Sequence, residues 1–243
     1  MKITQDMLMA DVIHLNYLLL NVITRFDIRL GFGNKTVWEV CNEQDINIDF
    51  FLDIVNSFHD PDFFPDKELQ SFPISLIITY LKKTHEFYLN VKIPEIESSI
   101  SKLINSTPEG NKENLNLINR FFGEYKEELR THIEREEKVI MPYVMKIADA
   151  FNRKESPADL TAAIKSYPID KFASEHNNVE DKLYDLKNII LKFLPPVHDF
   201  VTCNNILIEL FRLEKDLNNH AGIEDKVLIP KVRLMEKAIS SGF

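Results

Sequence analysis

A histidine and a glutamate four residues apart occur twice in this sequence, in "HIEREEKVIMPYV" (132–144) and in "HAGIEDKVLIPKV" (220–232). Aligned, the segments match at His132 and His220, Glu136 and Glu224, Lys138 and Lys226, Val139 and Val227, Pro142 and Pro230, and Val144 and Val232, with Glu137 against Asp225. A further histidine precedes each copy: His85 lies 47 positions before His132, and His176 lies 44 positions before His220. The repeating unit is therefore a segment with one His followed by a segment with H-x-x-x-E. On a helix, residues i and i+4 sit one turn apart on the same face, so each His–Glu pair projects together.

These pairs interrupt apolar stripes. The first runs through Tyr125, Leu129, His132, Glu136, Val139/Ile140 and Tyr143, and the second through Leu213, Leu217, His220, Glu224 and Val227/Leu228. His85 shares a stripe with Ile78, Leu81 and Leu89, and His176 shares one with Phe172, Val179, Leu183 and Ile190. Burying such groups without partners is strongly unfavourable, and a metal ion removes that cost. Four imidazoles and two carboxylates without thiolate suit iron, manganese or zinc. One metal would be closed by six protein ligands; two metals would each take two His, with Glu136 and Glu224 bridging. The twofold repeat favours two, and helical-bundle cores are known places for di-iron sites. A single H-x-x-x-E is more often a surface pair contributing about 0.2–0.5 kcal/mol. The duplication is what separates this pattern from that bland reading. His14, His59 and His198 have no counterpart in the repeat and are expected at the surface or at caps. Tyr88, Tyr125, Tyr143 and Phe87 are expected as core around the site, Glu175 as a solvated acid, and Pro142 and Pro230 as kinks or ends of the turns bearing the ligands.

Positioning these groups requires long helices, and the sequence supplies four such patterns, near 73–105, 111–152, 169–194 and 198–239. Nothing between them alternates with strand period, so the expected class is all-α, an up-down four-helix bundle. Start and stop signals come from Pro73, "SPADL" (156–160), which opens a short extra helix, and "LPPVHD" (194–199). Upstream, "TVWE" (36–39) reads as a capping box and "NIDFFLDIV" (47–55) as a short helix. The proline- and acid-rich "FHDPDFFPDKELQSFP" (58–73) reads as a connection. The expected organisation is a small helical domain over 1–60, a linker over 61–74 and the bundle over 75–243.

With 29 Lys and Arg against 38 Asp and Glu, the net charge of -9 repels phosphate backbones and anionic lipid, so neither nucleic acid nor membrane is an expected partner. Apolar runs such as "LNYLLLNVI" are too short to span a bilayer, and the N-terminal residues lack the pattern of a signal peptide. Cys41 and Cys203 are far apart and form no CxxC, which fits two free thiols in a reducing cytoplasm.

On these residues the sequence resembles the hemerythrin-like (HHE cation-binding) di-iron proteins, and more closely the bacterial repair of iron centres family. Residues 75–240 resemble the bundle, and 1–60 the small domain that precedes it. The resemblance implies a non-haem di-iron centre held by His85, His132, Glu136, His176, His220 and Glu224, with both carboxylates bridging and an oxo or hydroxo bridge. It implies a stress-response role, restoring iron–sulfur clusters damaged by nitric oxide or oxidants through iron donation, or handling nitric oxide. The implied partners are damaged iron–sulfur proteins or apo-acceptors and the diatomic gases NO and O2. The set has one His fewer than the oxygen-carrying hemerythrins, which favours a labile centre. Reversible oxygen binding or sensing is the alternative, and a metal-free interaction protein the third possibility. The family's small domain usually carries a Gly-Ile-Asp-Phe-Cys-Cys-Gly-Gly-Lys stretch. Here "FDIRLGFGNKTVWEVC" (26–41) has Gly31 and Phe32 where the Cys pair would fall, and Cys41 alone corresponds to a later family cysteine. Thiol chemistry is therefore not expected of this segment, which leaves dimerisation, as a homodimer, or partner docking for it.

Overall fold

The computed structural model describes residues 1–108, 112–175, 179–194 and 199–242. His176 and His198 lie outside the described residues. The N-terminal part contains five short helices: α1 (Met9–Leu15), α2 (Leu19–Thr24), α3 (Val37–Glu43), α4 (Ile48–His59) and α5 (Asp66–Ser71). The capping box expected at 36–39 is present, because Thr36 accepts from the Glu39 N–H while the Glu39 carboxylate accepts from the Thr36 N–H. Asn47 caps α4 by accepting from the Phe50 N–H at 2.9 Å. α5 falls within 61–74, where a connection was expected.

Four rods follow. The first joins α6 (Ile74–Phe87) to α7 (Ile93–Ser106), and the second joins α8 (Lys112–Arg135) to α9 (Met141–Arg153). After the short α10 (Ala158–Ser166), the third side is supplied by α11 (Ile169–Glu175), which packs on α14, and by α12 (Val179–Phe193), which packs on α8 and α13. The fourth joins α13 (Phe200–Ile223) to α14 (Ile229–Ser241). α7 packs on α8, α8 on α12, α12 on α13 and α13 on α7, which closes a four-helix square. At the other end α6 lies on α9, and α14 lies on both α9 and α11. No described helix is long and apolar enough to cross a membrane.

Pro142 and Pro230 stand at the start of α9 and α14, directly after the turns that carry Glu136 and Glu224, so those turns end where the sequence expects them to. Five-residue π-turns, Glu136–Ile140 and Glu224–Leu228, carry the chain past Pro142 and Pro230. A third, Tyr88–Lys92, does the same before Pro94 in the first rod. In each case the residue just before the proline donates its N–H to the carbonyl five positions back: Ile93 to Tyr88, Met141 to Glu136, Ile229 to Glu224. A proline inside an α-helix lacks the N–H for the carbonyl four residues earlier and its ring collides with it; the wider turn relieves that collision. In the fourth rod the carbonyl that Pro230 leaves without its α-helical donor is that of Lys226, and Gln70 of α5 donates to it at 2.7 Å.

The apolar interior is divided in two. One cluster lies among α7, α8, α12 and α13, and includes Tyr88, Ile133 and Leu217. The other joins α6, α9, α11 and α14 to the N-terminal helices, and includes Leu81, Ile140, Ile223 and Phe51. His85, Glu136 and His220 occur along their rods between members of the two clusters. The turn geometry also sets the end of the first stripe, where Ile140 is buried and Val139 is 56% exposed; in the second copy Val227 and Leu228 are both buried.

Arg25, just after α2, ties the N-terminal part into the bundle. Its guanidinium is 1% exposed and donates to Asp216 at 2.5 Å, while Tyr88 donates to the other oxygen of the same carboxylate at 2.6 Å. The guanidinium also lies over the Phe87 ring at 4.9 Å from its centroid. Arg25→Met would leave the Asp216 carboxylate, 14% exposed, with Tyr88 but without its cation, and is expected to lower unfolding free energy by about 3 kcal/mol, the low end for a buried pair. Lys83→Met removes the more exposed pairing with Asp27 and is expected to change it by less than about 1 kcal/mol. Urea unfolding of the two variants, followed by far-ultraviolet circular dichroism, checks both values.

Candidate metal centre

The inward helix faces, together with the starts of two π-turns, bring four buried side chains of three rods to one point. His85 comes from the last turn of α6, His220 from the last turn of α13, and Glu136 and Glu224 each open a π-turn. One nitrogen or oxygen from each of the four lies within 4.8 Å of the others. His85 Nε2 is 3.1 Å from His220 Nε2 and 3.3 Å from Glu136 Oε2, and His220 Nε2 is 3.4 Å from Glu224 Oε1. His132 adjoins the group, with its Nε2 3.0 Å from Glu136 Oε1 and its side chain 18% exposed. The Glu136 carboxylate thus turns one oxygen toward His132 and the other toward His85. Of the six residues singled out in the sequence, the structure gathers His85, His132, Glu136, His220 and Glu224, and His176 lies outside the described residues.

The electrostatics are those of a site short of positive charge. Burial by itself would lower the pKa of His85, but hydrogen bonds to Glu136 and Glu137 and the charges of Glu136 and Glu224 outweigh it and push the imidazole up to about 9. Its hydrogen bond to His85 holds Glu137 below the usual carboxylate range, against the opposing effect of partial burial. A proton on His85 therefore offsets part of the charge of two buried carboxylates. A divalent cation does the same more completely, and the donors present, imidazole nitrogen and carboxylate oxygen, match borderline and hard first-row metals. The residues fit a metal ion.

Around this group the structure adds residues that the repeat did not single out. Glu137 accepts from His85 Nδ1 at 3.0 Å, across 52 positions of sequence. Tyr88, expected only as core, places its ring edge-on to His220 at 5.8 Å between centroids, and its hydroxyl reaches Asp216, one turn before His220. The Tyr88 phenol is held well above its usual pKa, chiefly by burial and by the Asp216 charge. Tyr143 instead donates to Glu236, at 2.5 Å. Pro94 is the readable signal left unused, because "KIPEI" (92–96) places it as "IMPYV" (140–144) places Pro142 and "LIPKV" (228–232) places Pro230. Of the histidines outside the repeat, His14 is exposed and His59 bonds to the Met1 carbonyl at 3.1 Å.

Comparison with known proteins agrees with this geometry. The model of the hemerythrin HHE cation-binding domain matches residues 95–232, which contain His132, Glu136, His220 and Glu224, with His85 just upstream. The iron-sulfur cluster repair protein YtfE of Cronobacter sakazakii (strain ATCC BAA-894) is 21% identical over 211 residues, covering 84% of this chain and 86% of the relative. An all-helical chain, more than half of it matched by one domain model that spans both H-x-x-x-E copies, belongs to the hemerythrin HHE cation-binding family.

Proposed function

We propose that the protein is a non-haem di-iron protein that serves the repair of damaged iron–sulfur clusters, by giving up iron, by handling nitric oxide, or by both. The proposed ligands are His85, His132, Glu136, His176, His220 and Glu224, with Glu136 and Glu224 bridging. The observation that carries this reading is the meeting of His85, Glu136, His220 and Glu224 in the bundle interior, with donor atoms within 4.8 Å of one another. The twofold repeat supports a pair of metals, and the repair role named for the Cronobacter relative supports the use. Bound iron would supply a redox-active, Lewis-acidic position for a diatomic ligand, and in donation it is itself the cargo.

The chain's own residues determine how such a centre is kept. Glu136 and Glu224 provide negative charge in a dry layer, where attraction to a cation is screened far less than in water. His132 is the more exposed member of the cluster and marks the side nearest solvent. The proposed partners are damaged iron–sulfur proteins or apo-acceptors and nitric oxide. Reversible oxygen binding remains the second reading, favoured by membership of the hemerythrin family and distinguished by a visible band that appears and disappears with oxygenation.

Anaerobic purification followed by iron analysis is expected to return about two irons per chain. His132→Ala and Glu224→Ala are each expected to lower that number, and unchanged iron content in both would overturn the ligand set. The repair role fails if the loaded protein neither transfers iron to an apo-cluster acceptor nor, when reduced, responds to nitric oxide. In chelator-treated protein Glu224→Gln removes one of two adjacent buried charges and is expected to raise unfolding free energy, by about 1–3 kcal/mol. The same variant is expected to lose most of the rise in melting temperature that ferrous iron gives the wild type, as differential scanning calorimetry would record.

A further inference from the structure

His85 differs from the other members of the cluster in how it is supported. His132 with Glu136, and His220 with Glu224, arrive as pairs one turn apart on one rod, whereas His85 is the sole member from the first rod among the described residues. Its ring is 1% exposed, and its Nε2 faces Glu136 and His220. The other nitrogen, Nδ1, is directed at Glu137 Oε1 on the neighbouring rod, 3.0 Å away. Glu137 directly follows Glu136 in the π-turn, so one wide turn presents two carboxylates, one to the interior and one to the flank of His85. The Glu137 side chain is 37% exposed, which places this contact at the boundary between the dry cluster and solvent.

A metal-bound histidine that donates its second ring N–H to a carboxylate has its tautomer and ring orientation fixed by that bond. Donation from Nδ1 to Glu137 leaves the Nε2 lone pair directed at the cluster. We propose that Glu137 is a positioning residue, which holds His85 in the metal-binding tautomer and orientation and thereby governs how long the centre retains its metal. This inference rests on the metal reading above. Because Glu137 is reached by water, its bond to His85 is the tether most open to competition from outside. The repeat sets Asp225 at the matching place in the second copy.

The experiment loads the full chain anaerobically with ferrous iron and follows its release to a colorimetric ferrous chelator. Glu137→Ala is expected to release iron about 10–100-fold faster than wild type, the loss of metal affinity that follows removal of such outer partners being carried by the release step. Glu137→Gln, whose amide oxygen still accepts from Nδ1, is expected to fall between the two. Glu134→Ala, which removes an exposed i,i+4 pairing with Lys138 three positions before Glu137, is expected to release at the wild-type rate. Equal melting temperatures of the metal-free wild type and Glu137→Ala would show that retention, and not folding, has changed. Wild-type protein that takes up no iron overturns the metal reading and this inference with it. Wild type and Glu137→Ala that load alike and release at one rate overturn this inference alone.

Discussion

A layer of carboxylates and imidazoles buried across a helical bundle is the constraint around which this structure is arranged. Glu136 and Glu224 sit in the interior with His85 and His220, between two clusters of buried apolar side chains. Such a layer is unfavourable by itself, because each charge surrenders its hydration and the two carboxylates repel one another. The fold tolerates it through close mutual contacts, through a proton that His85 readily holds, and through its suitability for a cation. Splitting the core in two follows directly: apolar side chains fill each end of the bundle, and chemistry is confined to the level between.

The π-turns belong to the same arrangement. Each begins at or just after a member of the cluster: Glu136 and Glu224 are the first residues of theirs, and Tyr88 opens the third, three residues after His85. Wide turns of this kind carry more backbone per turn than an α-helix, at some loss of hydrogen-bond quality. Proline at 94, 142 and 230 makes that alternative favourable, because an unbroken α-helix could not accommodate its ring or satisfy the carbonyl before it. Local sequence thus places a deformation beside each piece of the site, and Gln70 repairs one of the carbonyl groups left over. Arg25 plays a comparable part for Asp216, one turn before His220, where a part-buried carboxylate without a cation would add to the negative charge near the layer.

Much of this was legible beforehand. The four rods appear in the sequence because amphipathic period and proline punctuation are local properties. The duplicated H-x-x-x-E was legible for the same reason: i and i+4 share a face whatever surrounds the helix. The prolines were legible as residues but not as turns, since a kink, a terminus and a π-turn begin from the same steric conflict and differ in what the neighbouring rods require. Glu137 was visible only as one of two acids in a row, and on an ordinary helix adjacent residues face different ways. Tyr88 read as core, which it is, but its hydroxyl's partner lies 128 positions away.

The sequence by itself determined the helical class, the pairing of each His with its Glu and the twofold relation between the halves, all consequences of spacing along one chain. Only the tertiary structure decided that His85 meets His220 across 135 positions, that Glu137 rather than another acid takes its outer nitrogen, and that Arg25 reaches Asp216 across 191. The physical reason is the range of the interactions. Helical periodicity and proline sterics act within a few residues, whereas desolvated charges find partners according to which rods the apolar clusters press together.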